Sequence, residues 1–211
     1  MTKKMNEEDI SLLKQKLREI CVQSWETKGY KLTTIATLTN EIGISTETFY
    51  RLYKTKEEMF LEVLSMIQNQ LKEQWYAMIQ TDSGIEGFKK AMIWLFEEYV
   101  KHPTLYNFNN PDFHLFFKKL PVEKIENLRE NDKNFFDEVL ERLNLTMRIP
   151  KEKAYGIVNT LLYTAAMKKD LVYNKCEIFN FLLDSSINQI FAISSSLENK
   201  NAHKEPWCHL A

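Results

Sequence analysis

Residues 45–56 of the chain read STETFYRLYKTK, a run whose polar side chains suit gripping a surface rather than making or breaking bonds. Thr46, Glu47, Thr48 and Arg51 fall on the outward side of one short helical segment. From there an arginine can grip guanine, a glutamate can accept from the cytosine amino group, and hydroxyls can reach bases or phosphates. Tyr50, Lys54 and Lys56 add a phenol and two ammonium groups suited to phosphate oxygens. Thr33, Thr34 and Ser45 stand before helical runs, where a hydroxyl caps the helix and its first N–H groups attract anions.

No comparable pattern supports catalysis. The sequence has no nucleophile elbow, phosphate loop or HExxH pair, and its acidic pairs read as solvated helix faces, so neither an enzyme nor a cofactor is expected. His203, Cys208 and His209 share the polar tail NAHKEPWCHLA, which reads as a frayed end, and no metal site is expected. Cys21, Cys176 and Cys208 lack paired spacing, and no run approaches the ~20 apolar residues of a membrane span. The expectation is a cytoplasmic protein with reduced thiols. The formal charge of −1 is uninformative about partners, but from Lys28 to Lys56 five basic residues face two acidic ones, a local excess that coincides with the polar run.

The elements that position this run are helical throughout. Only five Gly and five Pro punctuate 211 residues, mostly between apolar-periodic stretches. Asn6 with Asp9 opens a first helix that Gly29 ends; Thr33 or Thr34 caps a second that Gly43 stops; Ser45 caps a third reaching about Leu52. Thr55-x-x-Glu58 starts a fourth helix of some six turns, and Ser83-x-x-Glu86 a fifth that Pro103 closes. Residues 102–121 should be short helix and irregular chain. Further helices are expected from Val122 to about Leu143, from Pro150 to about Asp170 and from Glu177 to Leu197. The reading is an all-α protein of about nine helices, with a DNA-binding head at 1–54, a ligand-binding and dimerisation body at 55–198 and a polar tail at 199–211.

Two short helices joined by a glycine turn form a helix-turn-helix, whose second helix enters the major groove. The stretch GYKLTTIATLTNEIGISTETFYRLYKTKEEM resembles the N-terminal signature of the TetR family of bacterial transcriptional regulators. Gly29-Tyr30, Thr33-Thr34, Gly43-Ile44-Ser45, Phe49-Tyr50, Tyr53 and Lys54-x-Lys56-Glu57-Glu58 match in order, while Thr39, Glu47 and Leu52 depart from the usual pattern. The resemblance implies that Thr33 or Thr34, Tyr50 and Lys56 bind phosphates. It also implies that Thr46, Glu47, Thr48 and Arg51 sit in the groove of a palindromic operator, read by a homodimer with heads ~34–36 Å apart or a multiple of that spacing.

The body is rich in large soft side chains, which form a core or enclose a ligand. The resemblance implies a repressor, the commonest role in the family, that a small-molecule effector releases from DNA. Candidate pocket residues are Met66, Trp75, Met92, Phe96, Tyr99 and Tyr106, together with Phe113, Phe117, Asn159 and Tyr163. Asn107, Asn109, Asn110 and His114 are further polar candidates. Such a lining predicts an apolar or aromatic effector, or a cationic one because π faces attract cations, and no large anion. The last two helices are apolar on more than one side, which suits either a larger intramolecular core or the four-helix dimer interface that the resemblance implies; on the latter, Val158, Leu161, Ala165, Leu183, Ile187 and Ile190 are expected at the interface, and Ile190→Glu is expected to yield monomers. The alternative is a helical small-molecule-binding or protein-interaction protein without operator-specific DNA binding.

Overall fold

A computed structural model describes residues 6–106, 110–166 and 174–192. Among these the fold is all-helical, with ten α-helices rather than nine, because the proline-broken aromatic stretch contributes two short ones. The N-terminal capping box is present: the Asp9 N–H donates to the Asn6 side chain at 2.7 Å, and the Asp9 carboxylate accepts from the Asn6 N–H. Helix α1 (Glu7–Leu32) is interrupted at Gly29 as expected, where the backbone is non-helical (φ 78°, ψ 174°), and a short further turn follows the kink. Gly29 has φ +78°, and a Cβ would lie 2.4 Å from the Asp112 carboxylate, so conformation and space both require glycine.

Helices α2 (Ile35–Ile42), α3 (Thr46–Leu52) and α4 (Lys56–Ile79) follow as expected. Thr55 caps α4 by accepting from the Glu58 N–H at 3.0 Å, but the Glu58 carboxylate takes the N–H of Lys54, one residue earlier than a capping box requires. Helix α5 (Gly84–Lys101) starts after Ser83, whose side chain makes no cap bond, because Gly84 turns the chain with φ +64°. Helices α6 (Pro103–Tyr106), α7 (Pro111–Phe117), α8 (Val122–Arg142) and α9 (Lys151–Tyr163) follow, and α9 ends in a single 3-10 turn at Thr164–Ala166. Helix α10 (Lys175–Ile190) ends earlier than the predicted Leu197. The Arg148 N–H donates to the Ile190 carbonyl, and the Ala192 N–H to the Thr146 carbonyl, each at 2.8 Å, so Phe191 pairs extended with Met147. The predicted continuation of the ninth helix to Asp170, Asn107, Asn109, residues 193–197 and the 199–211 tail lie outside the described residues.

Two hydrophobic clusters organise the chain. One joins α1–α3 and the first half of α4 to Leu105, Phe113, Phe116 and Leu128, and is built around Trp25, Tyr30 and Phe60. The other joins the end of α4 to α5, the end of α8, α9 and α10. The head thus draws its core from residues far beyond position 54. No described helix is long and apolar enough to cross a membrane.

Candidate DNA-reading head and ligand cavity

Gly43, in left-handed conformation (φ 70°, ψ 34°), closes α2, and the Ile44 N–H returns to the Thr39 carbonyl at 3.0 Å. The Ser45 Oγ caps α3 by accepting from the Thr48 N–H at 3.0 Å and pairs with the Thr48 hydroxyl. Leu38, Phe49, Leu52 and Tyr53 are buried and fix the angle between α2 and α3. The opposite face of α3 is bare. Thr46, Glu47 and Arg51 are exposed, as is Lys54 just beyond the helix, and Tyr50 is 54% exposed. None of these five side chains forms an ion pair or side-chain hydrogen bond among the described residues. Thr34 caps α2 and remains exposed beside Thr37, whose hydroxyl is 2.7 Å away; Thr37 escaped the sequence reading.

Two expected phosphate ligands bond within the fold instead, Thr33 buried and Lys56 half-buried. Thr33 is fully buried, where its hydroxyl donates to the Gly29 carbonyl at 2.8 Å and lies 3.0 Å from the Ser24 Oγ. The choice between Thr33 and Thr34 therefore falls to Thr34. The Lys56 ammonium donates to the Tyr30 carbonyl and sits 3.9 Å above the Tyr30 ring. Burial first, and Lys119 second, lower its pKa. It clamps the last turn of α1 to the start of α4.

A cavity of about 710 Å³ lies between the two hydrophobic clusters. Leu64, Ile67, Leu71 and Trp75 of α4 form one wall, and Phe88 and Met92 of α5 a second. Leu128, Phe136 and Val139 of α8 face Val158 and Leu162 of α9. Polar groups are few: Gln68, Asn159, His114 and the phenols of Tyr99, Tyr106, Tyr155 and Tyr163. Tyr99 and Tyr106 stack with centroids 4.8 Å apart, and burial raises the Tyr99 pKa. Charged groups from three helices complete the lining: Lys72, Lys118, Arg129, Lys133 and the single carboxylate Asp132. Asp132 lines the cavity at an exposed position; desolvation raises its pKa, opposed by Lys72.

Two helices connect this cavity to the head. Helix α4 starts beside α3 and carries Leu64, Ile67, Gln68, Leu71, Lys72 and Trp75 along the cavity. Helix α7 turns His114 and Phe117 to the cavity, followed by Lys118, while its opposite side docks on α1. There the Asp112 carboxylate accepts from the Lys31 N–H at 2.9 and 3.2 Å, and Phe113 and Phe116 lie 5.6 and 5.7 Å from the Trp25 ring. Lys119 reaches Glu57 in the first turn of α4 at 3.3 Å, and Glu57 also accepts from the Tyr30 hydroxyl.

Residues 22–63 match the family model described as bacterial regulatory proteins, tetR family. Through its head, about a fifth of the chain, the protein resembles TetR-family regulators. Solved structures share the fold across most of the chain. A TetR/AcrR-family transcriptional regulator from Thermobifida fusca YX-ER1 is 14% identical with TM-score 0.63, covering 83% of this chain and 96% of the other. FadR from Bacillus subtilis, in complex with stearoyl-CoA, is 14% identical with TM-score 0.62, covering 83% and 98%. FadR from Thermus thermophilus, a TetR-family transcriptional repressor in complex with lauroyl-CoA, is 16% identical with TM-score 0.55, covering 86% and 96%. At such identities the likeness shows the fold alone. No curated protein sequence matches the chain.

Seven of the ten sequence-derived pocket residues line the cavity: Trp75, Met92, Tyr99, Tyr106, Phe117, Asn159 and Tyr163. Met66 lies on another side of α4. Phe96 is buried against Phe179, stacked at 4.0 Å, and Phe113 belongs to the head-side cluster. The expected interface residues are corrected as well. Val158, Leu161, Ala165, Leu183, Ile187 and Ile190 are all at most 7% exposed within a single chain, so they build the protomer's own core. The surface they leave free on α9 and α10 includes Gly156, Thr160, Ser185 and Phe181, the last 72% exposed.

Proposed function

We propose that the protein binds a near-palindromic operator as a homodimer and is released from it by an apolar small molecule held in the cavity, acting as a repressor. One observation carries this reading: α4 follows α3 after the short link 53–55 and is itself a wall of the cavity. A ligand that favours one position of α4 biases the position of the head, and differential affinity of this kind supplies typically ~1–3 kcal/mol of coupling. The acyl-CoA complexes of the two FadR proteins support an apolar chain as occupant. Each methylene buried in such a cavity contributes about 0.8 kcal/mol. The cytoplasm is the compartment this activity requires.

Selection of bound duplexes from a random DNA pool, followed by titration at several salt concentrations, tests the reading. It requires enrichment of one inverted repeat and a log K that falls linearly with log salt. Binding without sequence preference, or none, would instead favour a helical ligand-binding protein whose head does not read DNA.

A further inference from the structure

The cavity lining sorts charge in a way that its apolar walls do not require. Along α8 the residues facing the cavity include Arg129 and Lys133, with Ile125, Leu128, Phe136 and Val139. The glutamates of the same stretch, Glu123, Glu126 and Glu130, are exposed and lie off the cavity. Over residues 123–133, α8 turns Arg129, Asp132 and Lys133 to the cavity and leaves Glu123, Lys124, Glu126 and Glu130 off it, so its cavity edge carries two bases and one acid. Lys118 joins them from the end of α7, while its neighbour Lys119 turns to the head and pairs with Glu57. Lys72 joins from α4, held near the Asn131 carbonyl at 3.4 Å and 5.2 Å from the Phe135 ring.

Four cations therefore meet one carboxylate at the cavity. None of the four has an ion-pair partner within 4 Å among the described residues. The residues deepest in the body cluster, Trp75, Phe88, Met92, Phe136 and Val158, carry no charge. The cavity therefore has a buried apolar interior, while Lys118, Arg129 and Lys133 of its lining are exposed to solvent.

We propose that the effector is an anionic amphiphile: an apolar chain in the Trp75–Met92 end, with a carboxylate or phosphate head held by Arg129, Lys133 and Lys118. This rests on the reading of the cavity as the effector site. It replaces the cationic ligand that the aromatic lining alone suggests, because the charges facing the cavity are four to one positive. Arginine and lysine bind both head types through charge-assisted hydrogen bonds. Asp132 opposes the head directly, so an anion binds best when that carboxyl is protonated or paired with Lys72.

Displacement of Nile red, a neutral dye, from the full-length protein tests this with four probes of one chain length: palmitate, palmitoyl-CoA, palmityl alcohol and palmitylamine. At least one anion should displace the dye about ten- to hundredfold more tightly than the alcohol, and the amine more weakly than either. Palmitate ahead of palmitoyl-CoA assigns a carboxylate head; the reverse order assigns a phosphate-bearing one. In the Arg129→Ala/Lys133→Ala variant the anion-to-alcohol ratio should collapse toward one, with circular dichroism confirming the fold. An alcohol as tight as both anions, a tightest amine, or an unchanged ratio in the variant would overturn the anionic head while leaving the cavity as effector site. Failure of dye and all four probes to bind would instead remove the effector site itself.

Discussion

Asp132 shows what a single carboxyl does in this cavity. Burial holds its folded pKa above the ordinary value of 3.8, and Lys72 of α4, Tyr99 of α5 and Tyr155 of α9 are the groups that interact with it electrostatically. A raised carboxyl pKa means stability that is full below the ordinary value and lost as pH rises through the folded one. At neutral pH the charge is therefore a penalty. Asp132→Asn should raise the Tm at neutral pH, and the gain should vanish in acid below the ordinary carboxylate range; an equal gain at both would show that charge is not the cause. Lys54 and Lys56 divide differently. Lys54→Met should reduce the salt slope of operator binding by about 0.9, one phosphate contact. Lys56→Met should leave that slope unchanged and cost about 1–2 kcal/mol of stability in urea titration, because its ammonium serves Tyr30. The sequence displayed both lysines in one motif but not their separation, which depends on a fold that brings Tyr30 across to α4.

At the scale of elements, capping residues and glycines marked most boundaries in advance. Asn6, Thr34, Gly43, Ser45 and Thr55 each do locally what their residue types dictate. Misreadings arose where a tertiary contact decides. Gly29 breaks α1 as its type dictates, but the further turn after it was not foreseen, because Asp112, far along the chain, binds the Lys31 N–H. Helix α10 stops at Ile190 because the 146–148 segment takes its terminal backbone groups. Asp112 makes α7 a second connection between cavity and head beside α4. Asp112→Ala should leave ligand affinity in place but shrink the ligand-induced loss of operator affinity by about 2- to 30-fold. Undiminished coupling would assign the transmission to α4 alone.

At the scale of the molecule, the cavity was legible as a class of residues and not as a place. Of the seven pocket residues found in advance, five emerged from aromatic and methionine content and Asn159 and Tyr163 as polar candidates, while Arg129, Asp132 and Lys133 were hidden because α8 reads as a charged solvated helix. Their shared face is visible only as i, i+3 and i+4 spacing with Ile125, Leu128 and Phe136. The two-sided apolar pattern of the last helices signalled burial correctly but not its partner: the protomer itself occupies those faces. A homodimer built on α9 and α10 must use their outer residues. Phe181→Glu, at a site 72% exposed, should yield folded monomers in sedimentation with weakened operator binding, whereas Ile190→Glu, at 1% exposure, should lower the Tm steeply. A folded, dimeric Phe181→Glu protein would move the interface elsewhere.

The central claim is that occupation of the cavity is transmitted to α3. Its most direct measurement is the affinity of the selected operator at fixed salt, with and without a saturating probe that Nile red displacement has shown to be bound. A weakening of about 5- to 150-fold is the expected result. An unchanged affinity with the cavity demonstrably filled would contradict it.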